Sequence, residues 1–149
     1  MAPSSPARPA WGRRLLAAVL IIVLLGLGLF EEAVFAALAR LWYPGGVAPR
    51  AVAGITTHGL PVAISYRLLY ALLNVALLHL LLRGRYTKAA IVGYAAGYIA
   101  SAGLLLLAQR AGWPVAAITG HRVLDVLSSP LPVMFAYPLA LVRPTEPVP

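Results

Sequence analysis

Ionisable side chains inside apolar segments are the first candidates for chemistry in this sequence. Glu31 and Glu32 close a long apolar run, Arg67 lies six residues into the next one, and Asp125 lies near the start of the last. A charge buried without a partner in hydrocarbon is costly, so each such residue is a functional candidate. Spacing and polarity together predict a polar layer near the outer face of a membrane, for internal or intermolecular contacts. The predicted layer consists of Glu31, Glu32, Arg67, Asn74, Arg122 and Asp125.

Acid–base or metal chemistry would need converging groups, and the sequence offers few. Asp125 lies four residues after His121, so one helix face can carry both, but no nucleophile or ligand set joins them. The three histidines are scattered along the chain, whereas a zinc site needs three or four ligands in fixed geometry. The Ser128–Ser129 pair precedes Pro130, which is typical of a capped kink. We therefore expect no catalytic residue, no metal site and no cofactor.

Composition decides between a soluble and a membrane protein. Of 149 residues, 61% are hydrophobic and 11% are charged, against roughly 45–50% and about 25% in soluble domains. A small soluble domain has too little interior to hide that much apolar surface. The 12 basic residues outnumber the 4 acidic ones but punctuate the apolar runs, which favours membrane topology over nucleic-acid binding. The sequence predicts an integral membrane protein with lipid as its surroundings.

The apolar runs predict an all-α protein with four transmembrane helices and short loops, since about 20 helical residues cross the hydrocarbon core. A basic N-terminus at 1–14 precedes a membrane domain at 15–142, and a tail at 143–149 follows it. The predicted spans are about 15–41, 61–82, 89–108 and 123–142.

Basic residues predict the orientation of these spans. Seven of them flank the ends predicted to be cytoplasmic and four lie on the opposite side, which places both termini in the cytoplasm. The protein is then a multi-pass membrane protein. A cleaved signal peptide ending at Ala37-Leu38-Ala39 is the alternative, but Glu31 and Glu32 interrupt the apolar run before that site.

Small residues and prolines predict how two of the spans pack. Four small residues recur at intervals of four along the third span, and such a stripe lets helices approach closely in lipid. Prolines in the fourth span remove backbone donors and are expected to bend or break it. The stripe consists of Ala89, Gly93, Gly97 and Ser101, and the prolines are Pro130, Pro132 and Pro138.

The order of these segments resembles a family of small membrane proteins. The first helix ends in LFEEAVFAALARLWY, the middle reads ISYRLLYALLNVALLHLLLRGRYTKAAIVGYAAGYIASA, and the last reads GHRVLDVLSSPLPVMFAYPLALV. This resembles the exosortase-system-associated proteins, including the exosortase F system-associated type. Residues at the family's matching places are Glu31 or Glu32, Arg67, Asn74, Arg122 and Pro130.

The resemblance implies an accessory role. Exosortases are multi-span enzymes that process proteins bearing a C-terminal sorting helix, and they use a cysteine together with arginine and histidine. This chain has no cysteine, so the resemblance implies a non-catalytic companion of an exosortase-like membrane protein. A small four-helix transporter or flippase subunit and a purely structural assembly subunit are the alternatives.

Overall fold

A computed structural model describes residues 10–45 and 56–142 of the chain. Within these ranges the chain forms six helices and no strand, which confirms the all-helical prediction. The helices are α1 (Ala10–Leu29), α2 (Glu31–Trp42), α3 (Leu60–Leu81), α4 (Thr87–Ala111), α5 (Pro114–Leu127) and α6 (Leu131–Val142). Residues 1–9 of the predicted N-terminus at 1–14 and the predicted tail at 143–149 lie outside the described residues, while 10–14 belong to α1.

Three of these helices are long and apolar enough to cross a membrane. They are Trp11–Leu29, Leu60–Leu81 and Thr87–Ala111. Their surfaces away from the bundle are apolar, as lipid contact requires: Ile22 and Leu72 are each 68% exposed and Ile99 is 74% exposed. These features are those of a membrane protein.

The first predicted span, 15–41, is divided in the structure. Phe30 leaves helical geometry with φ −110° and ψ 33°, and α2 begins at Glu31. Backbone bonds still cross the junction, from Phe30 N–H to Gly26 O (2.9 Å) and from Val34 N–H to Phe30 O (3.0 Å). Two acidic side chains in the first turn of α2 favour a helix start there. The 12 residues of α2 extend about 18 Å, too short to span a bilayer.

The fourth predicted span, 123–142, differs more. Gly112 ends α4 in a left-handed conformation at φ 64°, and Pro114 starts α5 at its first turn, where a missing N–H costs nothing. Helical structure therefore begins nine residues earlier than predicted. It stops at Leu127, before Pro130, and resumes at Leu131. Pro138 lies inside α6 without ending it.

The core is built around α3, which contacts α1, α2, α4 and α6. α3 and α4 are joined by a tight turn in which Gly84 N–H donates to His79 O (2.8 Å), so the two helices are antiparallel. We call the end of the bundle with this turn the near end, and the end with Phe30, Leu60 and Gly112 the far end. The core residues are Ala17, Leu24, Tyr66, Tyr70, Leu77, Leu78 and Val133.

Thiol labelling tests the predicted orientation, because the chain has no native cysteine. Single cysteines at Thr57 and Arg85 place one exposed probe at each end of the bundle. With both termini in the cytoplasm, an impermeant maleimide labels Thr57→Cys in intact cells, and Arg85→Cys only after lysis. The reverse pattern would invert the topology.

Candidate functional site

Two buried tyrosines of α3 tie this helix to the backbone of α1. The Tyr70 hydroxyl donates to the Leu24 carbonyl (3.0 Å), and the Tyr66 hydroxyl donates to the Leu27 carbonyl (3.4 Å). A carbonyl already bonded within its helix has a second lone pair, so each tyrosine is satisfied without disrupting α1. Because buried hydroxyl groups need partners, these two bonds fix how α3 lies against α1.

A third tyrosine connects α3, α4 and the end of α5. The Tyr98 hydroxyl donates to the Arg67 carbonyl (3.2 Å), and the Ser128 side chain lies close enough to interact with this hydroxyl. One turn before Tyr98 on α4, Tyr94 lies with its ring centroid 6.4 Å from that of Tyr98. The side-chain contacts thus link the irregular segment after α5 to the two longest helices.

Asn74 lies against the irregular segment between α5 and α6. Its side chain is fully buried, and Nδ2 donates to the Ser129 carbonyl (3.3 Å). Ser129 is also held locally, since its hydroxyl donates to Val126 O (2.7 Å) and accepts from Leu131 N–H (3.3 Å). Non-helical backbone at membrane depth is tolerated only where protein or water satisfies it. Here the side chains of Asn74 and Ser129 form hydrogen bonds with this non-helical backbone and with the residues that flank it.

These polar residues form what we call the mid-depth polar cluster. The midpoint of α3 falls between Tyr70 and Ala71 and that of α4 at Ile99, so the cluster lies near the middle of the two spans. Ser101, fully buried and bonded to Gly97 O (2.8 Å), extends it along α4. The members are Arg67, Tyr70, Asn74, Tyr94, Tyr98, Ser101, Ser128 and Ser129.

Arg67 is the charged member of the cluster, and Asp125 is the acidic residue whose charge acts on it. The Arg67 side chain is half-buried and, as on any helix, leans toward the N-terminus of α3, which is at the far end. Asp125 is exposed on α5. The fold therefore places an opposite charge within electrostatic reach of the one basic residue that lies deep within a described span.

The predicted polar layer does not form one group in this structure. The charge of Asp125 acts on Arg67, while Asn74 lies two turns deeper, about 10 Å along α3, and contacts Ser129 instead. Glu31, Glu32 and Arg122 are exposed on α2 and α5. The six residues thus do not form a single layer at one depth.

The predicted small-residue stripe on α4 is also divided. A Cβ at Gly97 would lie 2.8 Å from Leu127 Cδ1, and Ser101 is fully buried, so this half of the stripe packs against α5. Ala89 is exposed, and a Cβ at Gly93 would have no neighbour within 4 Å. Close packing within the chain therefore uses only the half nearer the far end.

Two polar atoms of the cluster are buried without a hydrogen-bond partner among the described residues. They are Asn74 Oδ1 and the Tyr94 hydroxyl oxygen. Buried polar groups are nearly always paired, so such exceptions need an explanation.

Sequence reasoning missed most of the tyrosines. Tyr66 and Tyr70 are four residues apart, and so are Tyr94 and Tyr98, which places each pair on one helix face. A hydroxyl-bearing ring repeated on one face of a lipid-embedded helix faces the protein more often than the lipid, because its hydroxyl needs a partner. The four-residue spacing of these tyrosines was the signal in the sequence that could have identified them as interior contacts.

The fold and this cluster define a class: a small helical membrane protein whose core is polar at mid-depth. No group of three or more histidine, aspartate or glutamate side chains within residues 10–45 and 56–142 could hold a metal ion. Comparison of the chain with family models, with curated proteins and with solved structures gives no match.

Proposed function

We propose that this protein is a non-catalytic companion subunit that binds a multi-span membrane protein of the exosortase type. The bacterial cytoplasmic membrane is the proposed location. The sequence resemblance supports the identity of the partner, and the lack of cysteine supports an accessory role.

The observation that carries the proposal is the exposure of charges on α2 and α5. Glu31 and Glu32 at the far end, on α2, and Arg122 within α5 are exposed, whereas the contacts inside the bundle join tyrosine and asparagine side chains to backbone carbonyls. These three charged side chains therefore take no part in the interior contacts named above, and they are available to a partner. Charges of this kind at an interface steer association and set partner specificity.

The near half of the stripe on α4 supplies a second contact surface. Ala89 and Gly93 are exposed, and small residues allow the backbones of two helices to approach closely. A partner helix lying here would touch a face that no other helix within residues 10–45 and 56–142 covers at Gly93. The charged far end and this face of α4 together suit a protein–protein contact inside the membrane.

Co-purification tests the companion role. The double variant Glu31→Gln, Glu32→Gln is expected to reduce recovery of a co-expressed exosortase-like protein by about tenfold or more, since lost interfacial charge pairs cost about 2 kcal/mol or more. Arg85→Gln, an exposed charge at the near end, is the matched control and should bind normally. Unchanged recovery with the double variant would remove the far-end charges from the interface.

A transporter or flippase subunit is the second candidate, and one observation favours it. α5 and α6 are separated by an irregular segment at mid-depth, and transporters often bind substrate where helices are interrupted near the midplane. Transport by the purified protein alone, reconstituted in lipid vesicles, would favour this function and overturn the companion role.

A further inference from the structure

The start of α6 presents no free backbone donor to the irregular segment at 128–130. Leu131 N–H is bonded to Ser129 Oγ (3.3 Å), and Pro132 has no N–H. Val133 and Met134 both donate to the Pro130 carbonyl (3.1 Å each). A helix N-terminus normally attracts anions through such donors. Here they are used or missing, so this segment is unsuited to an anion.

The end of α5, in contrast, presents backbone carbonyl groups, which are hydrogen-bond acceptors. Ser128 N–H bonds to Leu124 O (2.8 Å) and Ser129 N–H to Val126 O (3.2 Å), while Ser128 has φ −91° rather than the left-handed geometry of a capped end. A helix C-terminus carries partial negative charge on its last carbonyls. That charge is directed at mid-depth, where little water reaches it.

The two unpartnered oxygens lie at similar depth, within about one helical turn of each other. Asn74 Nδ2 is engaged by Ser129 O, which leaves Oδ1 as a buried acceptor. The hydrogen bond from the Tyr98 hydroxyl to the Arg67 carbonyl places these two residues at a similar depth in the bundle. Because α3 and α4 are antiparallel, Tyr94 is one turn further along, level with 71–74. Both side chains are more than nine-tenths buried, at 0% and 6% exposed.

We propose that Asn74, Tyr94 and the end of α5 form a binding site for a dehydrated monovalent cation. Amide, hydroxyl and carbonyl oxygens can replace the hydration shell of such an ion, and interrupted helices direct their C-terminal ends at ions in this way. The ligands are neutral, whereas a divalent ion favours carboxylates. Arg67 lies about 10 Å away along α3, and the charge that acts on it from α5 is the opposite charge of Asp125. The site does not depend on the companion role.

Salt-specific stabilisation of the full-length protein in lipid nanodiscs tests this site. Thermal unfolding is measured in NaCl, LiCl, KCl and choline chloride at equal ionic strength, choline being too large to enter. At ten times the Kd of the preferred ion, the Tm is expected to rise by about 3 °C or more relative to choline. Equal Tm values in all four salts would mean that water alone fills the site, and would overturn the proposal.

Two variants assign the effect to these residues. Tyr94→Phe keeps the ring but removes the oxygen, and should lower the apparent cation affinity about tenfold. Asn74→Asp adds a charge and should raise it by about tenfold or more. Tyr137→Phe, an exposed tyrosine on α6, is the control and should keep the original salt response. If Asn74→Asp does not fold, Tyr94→Phe decides: an undiminished salt-specific shift would overturn the assignment. Loss of partner binding, in contrast, would leave this result unchanged.

Discussion

Gly97→Leu is expected to lower the unfolding midpoint of the bundle more than any other substitution in the small-residue stripe. The Cβ alone would lie 2.8 Å from Leu127 Cδ1 and 3.1 Å from Cδ2. Rotation of Leu127 can absorb a methyl group, but a leucine also demands room for three further carbons. Overpacking of this kind costs about 1–3 kcal/mol. Because Leu127 is the last residue of α5, the displacement also reaches the segment that contacts Asn74.

Gly103→Leu is the matched control, on the same helix with no atom within 4 Å of its Cβ. It gains the helix propensity that glycine lacks, about 0.8–1 kcal/mol, and should be neutral or slightly stabilising. Thermal unfolding of both variants in the same detergent measures the difference. Similar losses in the two variants would show that Gly97 is not at a close helix contact.

Tyr70→Ala is expected to have a comparable or larger effect on stability. Tyr70 is 1% exposed and lies among the core residues of α1 and α3. Helix packing in lipid gains little from hydrophobic transfer, so the main cost is the cavity. At about 24 cal/mol per Å³, a cavity on the order of 100 Å³ costs about 2.4 kcal/mol. Loss of the hydrogen bond to Leu24 O adds about 1 kcal/mol.

Tyr70→Phe separates the two contributions, because it removes the hydroxyl and keeps the ring. It should cost about 1 kcal/mol. Tyr137→Ala, at an exposed position, should change the unfolding midpoint little. Equal destabilisation by Tyr70→Phe and Tyr70→Ala would contradict the cavity argument and assign the whole effect to the hydrogen bond.

The helical class and two helices were predictable because apolar length alone determines them. α3 and α4 begin and end within three residues of the predicted spans, since each is bounded by residues with clear preferences, Gly59 before α3 and Gly112 after α4. Within a continuous apolar run, hydropathy does not locate the point at which one helix ends and the next begins. It cannot show the break at Phe30, which depends on where α2 packs against α3.

The candidate site was only partly predictable, for a related reason. Arg67 and Asn74 were identified because polarity in an apolar run is rare. Their partners are a carbonyl of a distant segment and a tyrosine of another helix, and no spacing within one helix reveals such pairs. The prolines indicated an interruption near Pro130, but not that Ser129 would contact Asn74.

The pairing of α4 with α5 has a consequence for biogenesis. Arg122 and Asp125 make α5 a poor substrate for insertion on its own, since a charge at a helix centre costs about 2.5–3.5 kcal/mol at the translocon. Gly120 nevertheless packs directly on Leu104 and Leu105, side by side with the apolar α4. We therefore expect α5 to enter the bilayer only together with α4, as one hairpin formed after synthesis of α5 is complete. α6 leaves the ribosome later still, so we expect Val133 to join the core after that hairpin has formed.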